Sequence, residues 1–408
     1  MFQIYADNIC IFDDTVSSKE KSLINPVLKL SAGAAGSLTF TMPKANDGYD
    51  TIHRLITTIR VNKDGEPYWL GRALTESRDL WGNRKIMCEG SLAFLNDALA
   101  ISRSGQFYSS GSLIDYLRTL FAVYNSRVPN SRGVGLDYEN VEISDPSNHD
   151  TWLSSGKTIL EELRSITDQL GGLIKTSIAY SSYTGDYYTT VHILSGYGQT
   201  TAAQTLEFGN NLLDFVRAWD NTDFCTAVYP RGAVKRVQAW GIDFDIPLII
   251  DENTTIPAGY VRDGVIIKRD PDNQQTPPWA NQLYIEKLAD FSDIESKDLL
   301  ASEAVKLLET YQYYDMNLEV TAVDLHILNP SIAGFELLDK VQVKSTYHGL
   351  SAQYVITAIT IPLDEPEKTK YTLGPTAIAY KRNAKTLTGQ TTQIASALPA
   401  VTGQESGT

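Results

Sequence analysis

Cysteine is scarce: three in 408 residues, at positions 10, 88 and 225. Spacing this wide offers neither a disulfide framework nor the paired ligands of a zinc site. Free, wholly or partly buried thiols are the plain reading. Histidine is nearly as rare. His53, His149, His192, His326 and His348 are scattered, with no His-Glu-x-x-His pair, so nothing points to a catalytic metal. No apolar run approaches the ~18–20 residues of a membrane helix. The first residues, MFQIYADNICIFDD, lack a basic start and place acids where a signal peptide has its apolar core. Synthesis in a cytoplasm, without a leader, is the expectation. Positive charge is also short: 35 Lys and Arg stand against 49 Asp and Glu, a net charge of −14. A general nucleic-acid binder neutralises phosphates with the opposite balance.

What the chain does have is ordinary globular composition, 42% hydrophobic and 21% charged, and length for two to four domains. The clearest pattern runs from Leu318 to Gly374. Leu318, Val320 and Ala322 alternate with Glu319, Thr321 and Val323, and Val341 and Val343 alternate with Gln342 and Lys344. Period-two alternation gives a strand one apolar and one wet face. Asn329-Pro330, Gly334, His348-Gly349 and Asp364-Glu365-Pro366 supply turns between these runs. A similar arrangement occupies the first 95 residues. Ser37 to Met42 reads as a strand ending at Pro43, Asp47 to Leu55 as a short helix, and Ile59 to Val61 as a strand. The last leads through Asp64-Gly65, a hairpin signal, into Tyr68 to Leu74. Arg78 to Trp81 turns into Arg84 to Cys88, and Ser91 to Leu95 closes the unit.

From 96 to 204 the period changes. Ser112 with Asp115 and Thr158 with Glu161 read as capping boxes. Each opens a helical stripe, the second over Leu160, Leu163, Ile166 and Leu170 before a Gly171-Gly172 stop. Leu173 to Tyr180 and Tyr187 to Leu194 read as two strands. Thr205 to Leu213 and Cys225 to Gly232 read as β again and are too few to close a unit alone, so they are expected to pair with 318–374. That leaves 237–314 as an insertion ending in a helix, capped by Ser292 or Asp293 and striped by Leu300, Ala304, Leu307, Leu308 and Tyr311. From 376 to 408 the composition turns to Thr, Gln, Ala, Ser and Gly, that of a linker or tail.

The search for chemistry returns little. There is no Gly-x-Ser-x-Gly elbow and no phosphate loop. His348, beside Gly349, reads as a turn residue rather than a base. The pairs Asp243/Asp245, Asp251/Glu252 and Asp270/Asp272 cluster in the insertion, yet none follows the spaced pattern of a calcium loop. Catalytic, cofactor-binding and metal-binding residues are therefore all expected to be none, and no cofactor is called for.

The serial order of strand and turn motifs resembles the tail-tip hub proteins of long-tailed bacteriophages, the tail-associated lysin or prophage endopeptidase tail family. These are similar in fold to the central baseplate hub of contractile tails. The resemblance is carried by Ala35-Gly36-Ser37-Leu38-Thr39-Phe40 with Pro43, Ile59-Arg60-Val61, Gly71-Arg72, and Cys88 through Asp97. It continues through Gly171-Gly172, Phe208 through Asp214, Tyr229-Pro230-Arg231-Gly232, Ala322 through Leu325, Asp339 through Ser345, His348-Gly349 and Thr372-Leu373-Gly374.

It implies an α+β, mainly β chain with two β-barrel-like hub domains and inserted α+β domains, three copies forming a ring of pseudo-six-fold symmetry. The implied domains are 1–95 (first barrel), 96–204 (α+β), 205–236 with 315–375 (second barrel), 237–314 (insertion) and 376–408 (tail). The implied role is a homotrimeric hub at the tail tip of the virion, closing the tail tube and opening for DNA ejection. Its implied partners are the distal tail protein ring, the tape-measure protein and receptor-binding or adhesion proteins. Genomic DNA would pass through the lumen without specific binding, and the host cell surface is a further contact. Larger members carry a C-terminal hydrolase domain; some 30 residues follow Gly374 here, so no enzymatic activity is expected. Two other readings stay open: a cell-wall glycosidase or peptidase using an acid pair, and a carbohydrate-binding adhesin using the Tyr-rich stretch 180–197.

Overall fold

The computed structural model describes residues 1–101, 108–129, 132–144, 151–153, 156–181, 185–196, 201–220, 224–239, 242–271, 284–292, 294–311 and 315–374. Over the described residues the chain divides into two compact units: Met1–Asp220 together with 315–374, and Asn221–Tyr314. The tail at 376–408 lies outside the described residues.

Seven strands open the first unit: β1 (Phe2–Ala6), β2 (Ile9–Asp13), β3 (Ile24–Ser31), β4 (Ser37–Met42), β5 (Thr58–Lys63), β6 (Glu66–Arg78) and β7 (Arg84–Gly90). The alternation read from the sequence is real. Leu38, Phe40 and Met42 point inward from β4 while Ser37, Thr39 and Thr41 are half-exposed. Asp64 and Gly65 both take positive φ, 55° and 89°, between the paired Lys63 and Glu66, as a type I′ turn requires. In the next hairpin Asp79 accepts from the backbone N–H groups of Trp81 and Asn83 and so closes the turn.

The helix expected at Asp47–Leu55 does not form. This segment is a run of turns, because its carbonyls are taken by a side chain from another strand. The buried guanidinium of Arg84 donates to the carbonyls of Tyr49 and Ile52, which a helix would have pointed at its own later amides.

A patch of α and β follows: β8 (Tyr108–Ser110), α1 (Leu113–Asn125), β9 (Val134–Leu136), β10 (Thr151–Leu153), α2 (Ile159–Leu170), β11 (Leu173–Ser181) and β12 (Asp186–Leu194). Both capping boxes form in full, Ser112 with Asp115 and Thr158 with Glu161. Gly171 ends α2 at φ 71°, where a Cβ would be strained. The 3₁₀ turn Ser91–Asp97 does not seal the first strand set. It sends Leu92, Phe94 and Leu95 into a second core with α1, α2 and the β9, β11 and β12 strands.

Strands β13 (Thr201–Glu207) and β14 (Leu212–Asp220) lead out of this unit. In the second unit, β15 (Ala227–Arg231), β16 (Val234–Ala239), β17 (Ile242–Pro247), β18 (Tyr260–Asp263), β19 (Ile266–Arg269) and β20 (Glu286–Asp290) precede α3 (Lys297–Tyr311). The order β18-β19-β15-β20 forms one sheet, and β16-β17 a hairpin. This corrects one boundary. The 225–232 strand was expected beside 318–374, yet β15 pairs with β19 and β20. Cys225 and Val228 pack with Leu300, Ala301 and Ala304 of α3, so the inserted unit begins near 221 rather than 237. Its helix starts at Lys297. Ser296, not Ser292, stands before it, its hydroxyl 3.5 Å from the Leu299 amide; Asp293 lies outside the described residues.

The chain returns with β21 (Asp315–Ala322), β22 (Lys340–Ser345), β23 (Leu350–Pro362) and β24 (Lys370–Gly374). Thirteen strands then share one curled sheet. Its path is β14-β21-β24-β23-β3-β4-β7-β6-β5-β1-β2, with β22 on β23 and β13 on β22. The joint is β23: Ala352–Val355 pair with β22, and Ala358–Pro362 pair with β3. The N-terminal and C-terminal strand sets are thus one half-barrel sheet over one apolar core, which runs from Phe2 and Ile4 through Leu28 and Phe40 to Val341, Ile356 and Leu373.

Candidate assembly surfaces

Within the first unit the strand set and the α/β patch are locked by arginines. Arg72, on β6, reaches Asp97 at 2.5 and 2.8 Å and Glu89 at 2.8 Å. Arg132 donates to the carbonyls of Leu55 and Ile56 at 2.9 and 2.6 Å. The ring of Phe94 lies between them, 5.0 Å from the Arg72 guanidinium and 4.8 Å from that of Arg132. Burial, then the charge of Arg72, lowers the Arg132 pKa from its ordinary value. No periodicity in the sequence announces this sandwich.

The residues singled out for chemistry are dispersed by the fold. His348 sits in a 3₁₀ turn ended by Gly349 at φ 63°, its Nδ1 2.7 Å from the Ser345 hydroxyl. The rings of Phe208 and Phe215 stand edge-on to it at 5.0 and 4.9 Å. His192 bridges Asp137 at 3.1 Å and Ser177 at 2.7 Å. Of the acids of the insertion, Asp245 meets Arg236 at 3.0 Å and Asp251 meets Lys297 at 2.5 Å. Asp272 lies outside the described residues. Among the described residues no group of three His, Cys, Asp or Glu side chains is placed to hold a metal ion. The thiols of Cys88 and Cys225 are buried and that of Cys10 half-buried, all unbridged; burial pushes the Cys88 thiol far up. In the Tyr-rich stretch, Tyr180 packs on Tyr187 at 5.1 Å and Arg60 covers the Tyr187 ring at 3.9 Å.

What the surface offers instead is edge and apolar area. Among the described residues β2, β13 and β14 each carry a ladder on one side alone. At the β13–β14 corner Phe208 and Tyr347 stack at 6.5 Å, with Tyr347 86% exposed, and Leu213 and Val216 are also exposed. The β6–β7 hairpin presents Leu80 and Trp81 at 92% and 80% exposure. Open strand edges and large exposed apolar side chains both favour pairing with another chain.

The fold is β-rich, with thirteen of the described strands in one sheet. Three solved structures share it. The 43 kDa tail protein of prophage MuSo2 from Shewanella oneidensis is 13% identical, over 91% of this chain and 97% of that one, at a TM-score of 0.58. A tail protein from Neisseria meningitidis MC58 is 14% identical over 93% and 98%, at 0.56. The prophage tail protein gp18 from Listeria monocytogenes EGD-e is 14% identical over 97% and 98%, at 0.51. Residues 199–379 match the family model described as prophage endopeptidase tail. No curated protein matches the sequence.

Proposed function

We propose that this chain is the structural hub of a long-tailed phage tail tip, a homotrimer that closes the distal end of the tail tube and opens for DNA ejection. The observation that carries the proposal is the pair of strand sets on one curled sheet, with single-sided edges at β2, β13 and β14. Two related strand sets per chain give three chains six similar positions, which fits a six-fold tube. Cyclic neighbours cover edges that a lone chain leaves open. The distal tail ring, the tape-measure protein and adhesion proteins are the partners this position requires. A net charge of −14 suits a lumen past which DNA slides without sticking. The role is structural and needs no catalytic group.

Light scattering on the purified full chain tests it. A particle of roughly 135 kDa, three copies of 45.1 kDa, with three-fold images end-on, is the expected result. A stable monomer at micromolar concentration refutes it. A zymogram on bacterial cell walls separates it from a hydrolase: clear lysis abolished by one Asp or Glu substitution in folded protein would replace the hub reading with an enzymatic one.

A further inference from the structure

Where the β5–β6 turn meets β23 and β24, the first unit carries a partly open pocket of about 250 Å³. One side of its lining is apolar: Phe2, Phe335, Ile359 and Ile361 are buried, and Phe335 meets Tyr371 edge-on at 5.2 Å. An apolar cavity of ~150 Å³ is already large enough to take a benzene ring. The volume here therefore holds a ring with one substituent.

The polar groups at its rim are nearly all spoken for. Asp324 accepts from Gln204 at 2.6 Å, from the His326 and Phe335 amides at 3.1 and 3.2 Å, and faces Lys63 at 3.7 Å. Asp64 takes the Met1 ammonium at 2.9 Å and His326 Nε2 at 3.1 Å. His326 Nδ1 faces the Ile332 carbonyl at 2.6 Å. Each cation thus has its carboxylate, and an ion entering the cavity would find no unmatched charge. The exceptions are two phenols. Tyr371 is 3% exposed, and its hydroxyl has no hydrogen-bond partner among the described residues. The half-buried Tyr68 hydroxyl has none either. Neither phenol oxygen is sealed inside the protein, so both are open to the pocket. Both phenols stay protonated donors: burial, and then neighbouring carboxylates including that of Asp324, push both pKa values up.

We propose that this cavity is a binding site for a small neutral aromatic molecule that carries a hydrogen-bond acceptor such as a carbonyl. The ring lies against Phe2, Phe335, Ile359 and Ile361, and the acceptor receives the Tyr371 hydroxyl, with Tyr68 beside it. The site stands apart from the hub role and holds or falls independently of it.

The probes are benzamide, which has ring and carbonyl, and toluene, which has the ring alone. Saturation-transfer NMR on the full-length protein reads binding of each. Expected are millimolar binding of benzamide, a three- to tenfold loss in Tyr371→Phe, about one neutral hydrogen bond, and no loss of toluene binding in that variant. Ile327 lies on the rim at 41% exposure, so Ile327→Trp closes the cavity without burdening the core and removes binding of both probes. Tyr68→Phe serves as the second donor variant should Tyr371→Phe not fold. Absence of benzamide binding to the wild-type protein overturns the proposal. So does binding that is equal in the wild type and the phenylalanine variants, or that survives Ile327→Trp.

Discussion

Replacing Arg84 by methionine keeps a stem of similar volume and deletes the guanidinium. Arg84 is 3% exposed. It holds the carbonyls of Tyr49 and Ile52 and clasps Glu76 through Nε and Nη2 at 3.0 and 2.9 Å. The substitution leaves two carbonyls without a donor, at about 1–3 kcal/mol each where they are buried. It also leaves a Glu76 carboxylate, 15% exposed, with the solvent-facing Arg78 alone. Breaking one side of a buried pair costs ~3–5 kcal/mol, discounted here because Arg78 and solvent still reach Glu76. A net loss on the order of 4 kcal/mol follows, a large share of the 5–15 kcal/mol typical of a folded domain.

Urea denaturation of the wild type, Arg84→Met, Glu76→Gln and the double variant measures this and isolates the pair. The double variant should lie above the sum of the single losses by about 1–2 kcal/mol, because the orphaned carboxylate is gone. Hydrogen exchange adds a local readout: the amides of 49–57 should lose protection first, since the arginine is what holds that run of turns in place. A loss under about 1 kcal/mol, with protection unchanged at 49–57, would refute the idea that one guanidinium organises this segment.

Four further outcomes are expected. Val343→Asp places a charge at a 0% exposed position of the main core and should cost on the order of 3 kcal/mol or more; soluble, fully stable protein in a urea titration would contradict the strand facing. Phe94→Ala removes the ring between Arg72 and Arg132 and should cost about 3–5 kcal/mol by thermal unfolding, more than the Phe94→Leu change. The hydrogen bond and charge of Arg84 hold the Glu76 carboxyl below its ordinary value. For Asp64 burial pulls upward, yet the Met1 ammonium and His326 outweigh it. A depressed carboxyl stabilises the folded state above its unfolded pKa and ceases to as pH falls through its folded one. The urea midpoint should therefore drop as pH is lowered from about 5 toward 3, and Glu76→Gln should flatten that drop. Last, Leu80→Ser with Trp81→Ser on the β6–β7 hairpin should leave the unfolding temperature unchanged, within about 0.5 kcal/mol of wild type. If the hairpin packs against a neighbouring chain, the same pair lowers the mass seen by light scattering.

Local rules were legible in the residues. Leu318, Val320 and Ala322 are buried as their alternation implied, both capping boxes form, and Asp64-Gly65 turns as a type I′ pair must. The strand β1 was equally readable, since Phe2, Ile4 and Ala6 point inward in strict alternation. Partner choice was not legible. Cys225 to Gly232 has a strand's composition whichever sheet receives it, and the pairing of β23 with β3 spans more than 300 residues of chain. Tertiary contacts decide such matters. The 47–55 segment has helical spacing, and a distant arginine overrides it. The surfaces offered for assembly could not be foreseen either, because an exposed Trp81 and a buried one are the same letter. As for chemistry, the two idle phenols of the pocket come from β6 and β24, 303 positions apart in the chain.

The sharing of β23 has a mechanical consequence. A strand that lends one end to each of two neighbours acts as a yoke: bending it anywhere strips hydrogen bonds from a ladder, and there is no slack connector to take up the motion. Force applied at β2 is therefore felt at β14 with little loss.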